Sequence, residues 1–201
     1  MTDISADFLV ANGVRLHYLR AGRGPTLVLL HGWPEWSHVW RPVMSLLAGD
    51  FDLVAPDFRG FGDSQKTSKS PARDATPETL AADTLGIADA LGLDRIGVVA
   101  HDVGGAVAQV MARRSPDRIA GLFFFNCAYP GIGARWVDPP HLLETWYQFF
   151  HQMPWAAELI GSSRDACRIY IREFLRHWSH RKDAFDDELE LWVDMDLWSS
   201  E

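Results

Sequence analysis

Val98–Gly105 reads Val-Val-Ala-His-Asp-Val-Gly-Gly, an aspartate at the apex of a small-x-Asp-x-Gly frame between an apolar run and a helical pattern. A sharp strand-to-helix turn needs small residues two places either side of its apex, and Ala100 and Gly104 supply them. Such a turn lifts the apical side chain, Asp102, above the sheet edge within reach of substrate. A carboxylate needs no base to be nucleophilic at pH 7, and a helix N-terminus favours its anionic form. The alternative is that Asp102 is a plain N-cap with a glycine-rich packing turn behind it. The preceding strand, the apolar helix and the paired glycines favour a nucleophile elbow, with His101 and Gly104 as supporting residues.

A second segment, Leu30-His31-Gly32-Trp33-Pro34-Glu35, directly follows another apolar run. Gly32 lets the chain turn so that the next backbone N–H points at the reacting centre. Paired with the N–H after the nucleophile, it forms an oxyanion hole, so Trp33 N–H and Val103 N–H are the predicted donors. His31 is read as a structural histidine that holds this loop. A third segment, Asp57-Phe58-Arg59-Gly60-Phe61-Gly62-Asp63-Ser64, is a glycine-rich turn that supports the loops around the nucleophile.

Alternating strands and helices must position these groups. Asp7–Val10 and Val14–Ala21 read as a hairpin around Asn12-Gly13. Thr26–Leu30, Phe51–Ala55, Arg95–Ala100 and Ile119–Phe125 read as strands. Trp36–Leu47, Thr76 to about Leu91 and Gly104–Arg114 read as helices, with Thr76 as N-cap and Pro77 in the first turn. This alternation predicts an α/β fold with a mostly parallel sheet covered by helices on both faces. After Tyr129 the composition shifts. Pro130, Gly131, Gly133, Pro139 and Pro140 mark a linker, and Leu142–Gln152, Trp155–Ile160, Arg164–Trp178 and Ala184–Asp194 all read as helices. Six of the nine tryptophans lie in this part, which suits either helical core packing or a lid over an apolar pocket. The expected organisation is a core over 1–133 and a helical lid over 134–201. Gln65–Ala75 reads as a loop.

The charge balance excludes several function classes. Residues 183–201 hold eight acids and no base, while residues 1–182 balance at 19 against 19. The net charge of −8 is therefore a C-terminal feature, read as a solvated helix face. No basic patch predicts nucleic-acid binding and no basic amphipathic segment predicts a membrane surface. The apolar runs are too short and interrupted for a transmembrane helix. Met1–Gly13 lacks a secretory pattern, and the two cysteines, Cys127 and Cys167, are expected as free thiols, so the expected location is cytoplasmic.

The three motifs, in this order, resemble the α/β-hydrolase family, and more closely its epoxide hydrolase branch, where HG-aromatic-P, DxRGxGxS and GHDxGG recur. Ala100 stands where the last pattern opens with Gly. The resemblance covers about Phe8 to Asp194. It implies an α/β-hydrolase fold with a helical lid, a small apolar substrate such as an epoxide, and no organic or metal cofactor. Thr145–Gln152 resembles the lid segment with a Tyr-Gln pair. By that match Tyr147 polarises the epoxide oxygen while Asp102 attacks ring carbon. The resemblance also implies a cis peptide at Trp33–Pro34. Haloalkane and haloacetate dehalogenases share the Asp nucleophile, but the branch resembling them follows it with a halide-binding Trp or Arg, where this chain has Val103. Some of them place a halide-contacting Asn where this chain has Trp33.

The family's triad acid and histidine follow the lid or, for the acid, the strand ending at Phe125, where this chain has Asn126. His141, His151, His177 and His180 all fall in or beside predicted lid helices. His177 and His180 share a metal-like i, i+3 spacing with no further ligand pattern. The expectation is that the last strands of the sheet are missing, which leaves Ile119–Phe125 as an apolar edge and makes a second copy of the chain a candidate partner. The readings in order are an epoxide hydrolase acting through an ester on Asp102, a dehalogenase, and an inactive α/β-hydrolase that only binds apolar ligands.

Overall fold

The computed structural model describes residues 3–66 and 74–197. The chain divides into two compact units, 1–129 and 130–201, with the break between Tyr129 and Pro130.

The first unit is a six-stranded sheet in the order β1-β2-β4-β3-β5-β6. Its strands are β1 (Ser5–Ala11), β2 (Val14–Gly22), β3 (Thr26–Leu30), β4 (Asp52–Pro56), β5 (Ile96–His101) and β6 (Ile119–Phe125). Asn12 and Gly13 both take positive φ, 49° and 75°, as a two-residue turn matched to the strand twist requires. β1 and β2 pair antiparallel, as do β2 and β4, whereas β3, β4, β5 and β6 run parallel. β4, inside the sheet, is covered on both faces and buried along its whole length, whereas the parallel strand β6 is largely exposed.

Alternate residues serve opposite layers. Leu29, Leu53 and Ala55 face Trp40 and Met44, beside helix α1 (Arg41–Leu47). Val28, Leu30, Val54, Val98 and Ala100 face the apolar sides of α2 (Pro77–Ala90) and α3 (Val103–Arg114). Thr76 caps α2 by accepting the Thr79 N–H, with Pro77 in the first turn. The buried Asp83 on α2 accepts both Arg59 Nε and Nη2 at 2.6 Å and Asn12 Nδ2 at 3.1 Å. One carboxylate thereby ties the hairpin turn and the loop after β4 to the helix.

The second unit is helical: α4 (Pro139–Glu144), α5 (Trp146–Phe150), α6 (Ala156–Ile160), α7 (Arg164–Trp178) and α8 (Leu189–Trp192). Cys167, Ile171, Phe174 and Leu175 form the buried stripe of α7, and the helix packs on α6 and α8. Its other face carries arginines. Arg164 pairs with Glu190 and Asp194, Arg168 with Glu190, and Arg176 with Asp186. Asp186, Glu190 and Asp194 of the acid-rich stretch are therefore paired with α7 while their side chains stay about half exposed.

Three helical segments differ from expectation. The one over Trp36–Leu47 starts as a 3₁₀ turn, Ser37–Trp40, because Pro42 in the first turn of α1 lacks the N–H to continue the pattern inward. The one over Leu142–Gln152 starts earlier and breaks at Thr145, whose hydroxyl donates to the His141 carbonyl at 3.0 Å. The one over Ala184–Asp194 is 3₁₀ at Asp186–Glu188, α-helical only at Leu189–Trp192, and π-helical from Val193. Most of the Gln65–Ala75 loop lies outside the described residues. Among the described residues, no helix is long and apolar enough to cross a membrane.

β6 is an edge of the sheet, and Phe123 on it is 62% exposed. An apolar strand edge with open backbone groups templates pairing. The wild-type chain is expected to elute at larger apparent mass as its concentration rises on size-exclusion chromatography, and Phe123→Lys to remove that dependence.

Candidate active site

β5 runs directly into α3 through Asp102, which adopts φ 49°, ψ −114°. A non-glycine residue held there costs about 1–3 kcal/mol, so the surroundings must impose it. They do so through three hydrogen bonds and two close approaches. Asp102 N–H donates to Phe125 O at 3.2 Å, and Gly105 N–H donates back to Asp102 O at 2.9 Å. Gly104 N–H donates to His31 O at 3.1 Å, and a Cβ on Gly104 would lie 2.6 Å from Leu30 O. A Cβ on Gly105 would overlap the Cys127 sulfur. The two glycines let α3 start against β3 and the chain after β6, which sharpens the turn. Asp102 stands at the N-cap position of α3 without a side-chain capping hydrogen bond.

The carboxylate points at the loop after β3. Its Oδ1 accepts Trp33 N–H at 3.1 Å. Burial raises the Asp102 pKa above its ordinary value; the Trp33 and Val103 N–H groups and the positive charge of His101 oppose that rise, and Glu35 adds to it. The two N–H groups read from the sequence as oxyanion donors are thus both bound to this carboxylate.

The Trp33 loop is held from several sides. Its Trp33–Pro34 peptide is cis. Residues 32 and 35 exchange two hydrogen bonds: Glu35 N–H donates to Gly32 O at 3.3 Å, and Gly32 N–H donates to Glu35 Oε2 at 2.8 Å. His31 is fully buried. Phe58 N–H donates to its Nε2 at 3.1 Å, so the proton sits on Nδ1, which donates to Gly32 O at 2.8 Å. Burial lowers the His31 pKa and keeps this neutral tautomer. Gly32 itself has no room for a side chain, since a Cβ would lie 2.7 Å from Asp102 Cβ and 3.0 Å from His101 Nδ1.

Two residues near the elbow carried no role in the sequence reading. Glu35 Oε2 also accepts from His101 Nδ1 at 2.9 Å. The His101 pKa is raised: burial opposes this, but the hydrogen bond and charge of Glu35 outweigh it. Burial likewise works against the charge of Glu35, yet its pKa is lowered by His101 and by Gly32 N–H. The signal that could have exposed Glu35 is its place three residues after Gly32, where a carboxylate can close a turn onto a backbone N–H. Asn126, at φ 53°, sets its amide 3.3 Å from His101 Nε2, and a charged His101 requires the amide oxygen there.

Beneath the site, Asp57 organises the glycine-rich turn. Fully buried, it accepts His17 Nδ1 at 2.8 Å, Ser37 N–H at 2.6 Å and Asp63 N–H at 2.9 Å. Burial pushes its pKa up, but the His17 hydrogen bond, His31 and Ser37 hold it below the ordinary value. A Cβ on Gly62 would overlap its carboxylate. His17, Asp57 and Asp63 are close enough together to hold an ion. Three donors already occupy the Asp57 oxygens, so the arrangement is that of a hydrogen-bond hub.

The first unit therefore brings together Asp102, Trp33, Val103, His31, Gly32, His101 and Gly104. Tyr147 belongs to the helical unit, on α5. Gln148 Nε2 donates to its phenol oxygen at 3.4 Å, and its ring stands edge-on to Phe174 and Trp178. Also in this unit, His151 Nε2 lies 2.6 Å from Tyr170 Oη, and His177 Nε2 lies 2.8 Å from Glu144 Oε2.

The turn at Asp102 sets its carboxylate against the N–H groups of Trp33 and Val103. Residues 25–160 match the family described as alpha/beta hydrolase fold. This chain belongs to the α/β-hydrolase family. It is 37% identical over 194 residues to a soluble epoxide hydrolase from Corynebacterium sp. (strain C12), covering 93% of this chain and 65% of that protein. It is 31% identical over 179 residues to a fluoroacetate dehalogenase from Burkholderia sp., covering 87% of this chain and 58% of that protein. Among solved structures, the epoxide hydrolase CorEH without ligand superposes with a TM-score of 0.83 at 34% identity, covering 96% of this chain and 68% of that one. The two epoxide hydrolases among these relatives set the chain on that branch of the family. It spans slightly under two thirds of the soluble epoxide hydrolase.

The closeness of Gly32 to Asp102 makes a local prediction. Gly32→Ala is expected to destabilise the first unit by about 1–3 kcal/mol, the usual range for forced overpacking, and to displace Trp33 N–H from Asp102. Urea denaturation measures the first effect.

Proposed function

We propose that this chain opens epoxides through a covalent ester on Asp102. The observation that carries the reading is the Asp102 carboxylate, raised on a positive-φ turn and already bound to Trp33 N–H. One Asp102 oxygen attacks a ring carbon and the C–O bond of the ring breaks. The alkoxide takes the phenol proton of Tyr147, leaving the diol half as an ester on the enzyme. Water then adds to the ester carbonyl, giving one proton back to the Tyr147 phenolate, and the developing negative charge falls to Trp33 and Val103 N–H. The acyl C–O bond breaks, the second proton goes to the departing alkoxide, and the diol leaves with the Asp102 carboxylate regenerated. The helical unit serves as the lid that carries Tyr147, and a small apolar epoxide is the substrate class.

The second reading is dehalogenation, favoured by the resemblance to the fluoroacetate dehalogenase. It uses the same nucleophile, but a departing halide needs N–H or cationic side-chain donors. Val103 offers only its backbone, and Trp33 stands where some dehalogenases place an asparagine. Halide release from a haloalkane and haloacetate panel separates the two readings.

Intact-mass spectrometry after incubation with an aryl epoxide is the direct test. Wild type is expected to gain one substrate mass, and Asp102→Asn to gain none. An equal adduct on Asp102→Asn overturns the role of Asp102. Ligand-induced stabilisation with neither adduct nor product supports an inactive binder instead. Tyr147→Phe is expected to slow adduct formation by about 10²-fold or more, the usual contribution of a positioned acid.

The pH dependence follows from burial. Attack needs the ionised carboxylate, and protonation removes it as pH falls. Because the Asp102 pKa is raised, adduct formation is expected to decline on the acid side at a pH above the ordinary carboxylate value of about 3.9. A rate that stays flat down to that value contradicts the assignment.

A further inference from the structure

We propose that Glu35 is a positioning residue for attack by Asp102, because a single carboxylate oxygen clamps the Trp33 loop to the end of the strand that carries the nucleophile. The inference rests on the function proposed above and names a residue outside the set read from the motifs.

Glu35 Oε2 takes Gly32 N–H at 2.8 Å and His101 Nδ1 at 2.9 Å. Gly32 precedes the residue whose N–H binds Asp102, and His101 precedes Asp102 itself. The two halves of the site therefore converge on one atom. The clamp is short and local: Glu35 N–H returns to Gly32 O at 3.3 Å, closing the turn from both directions. Gly32 then lies where a Cβ would be 3.0 Å from His101 Nδ1 and 3.2 Å from Asp102 Oδ1, so any slip of the loop is felt by both side chains.

The charges point the same way. The Glu35 and His101 side chains are only 19% and 21% exposed, so the pair is poorly screened. Around it stand Asp102 at the elbow and, toward the adjoining loops, His31 and Asp57. A bare Glu35 would repel Asp102 and oppose its ionisation, while a positive His101 offsets that repulsion. The hydrogen bond thus sets the angle of Trp33 N–H and at the same time neutralises a carboxylate next to the nucleophile.

The test uses the 201-residue chain and three forms of it: wild type, Glu35→Gln and Glu35→Ala. Gln keeps an acceptor oxygen of the same reach for Gly32 N–H and His101; Ala removes it. Single-turnover adduct formation with an aryl epoxide is followed by intact mass across substrate concentration. Glu35→Ala is expected to lower the limiting rate by about 10–100-fold with little change in half-saturation, the size of effect expected when reacting groups are misplaced by about 1 Å. Glu35→Gln is expected to retain most of the rate. A limiting rate in Glu35→Ala within threefold of wild type overturns the proposal.

A second readout needs no turnover. Wild-type Trp33 amide nitrogen and proton shifts are expected to follow the ionisation of Asp102 in an NMR pH titration, since that N–H donates to the carboxylate. Glu35→Ala is expected to lose this dependence and Glu35→Gln to keep it. The His101 imidazole is expected to titrate at lower pH in both variants, because the partner charge is gone. If Trp33 still follows Asp102 in Glu35→Ala, the clamp is refuted whatever the adduct assay shows. If wild type forms no adduct while the NMR coupling behaves as stated, the proposed reaction fails and the clamp stands.

Discussion

The site depends on one strained bend. Asp102 sits at a φ that its side chain does not favour, and nothing in its own chemistry holds it there. The bend persists because three neighbours leave no alternative: the carbonyls of Leu30 and His31 against Gly104, the Cys127 sulfur against Gly105, and Phe125 O over the Asp102 N–H. Each comes from the end of a parallel strand or the chain just beyond it. The sheet order that sets β3 and β6 on either side of β5 is therefore what makes the bend affordable.

Around that bend the chain arranges its ionisable groups in layers. Asp57 lies deepest and is saturated with donors, so it remains a fixed anion that shapes the turn after β4. His31 lies above it, locked as a neutral tautomer by Phe58 N–H on one side and Gly32 O on the other. Glu35 and His101 follow as an opposed pair. Asp102 is the group whose burial and donors pull in opposite directions, with burial prevailing.

Much of this was legible in the sequence because local chemistry and global fold agree there. Thr26–Leu30 and Ile119–Phe125 are apolar runs bounded by turn signals, and both strands have these limits. The glycines at 32, 104 and 105 announced close backbone approaches that the packing requires. Glu35 escaped notice because its role depends on His101, 66 residues away, and no local pattern encodes that distance. The breaks at Thr145 and Asp186 were also hidden. Aromatic and acidic residues there keep a helical period across a point where side chains and pairing partners, not periodicity, decide the backbone.

The arginine face of α7 makes part of the molecule answer to its medium. Arg164, Arg168 and Arg176 hold the last acidic residues through contacts at the surface, where mobile ions compete. The screening length falls from about 8 Å in physiological salt to about 3 Å at 1 M. Concentrated salt therefore slackens the grip on the chain's final helical turns and the surface pairs Arg114–Glu78 and Arg118–Asp89 of the sheet unit, while the buried carboxylates Asp57 and Asp83 keep their partners largely out of its reach. Ionic strength becomes a dial that turns the surface pairs and leaves the buried braces of the sheet in place.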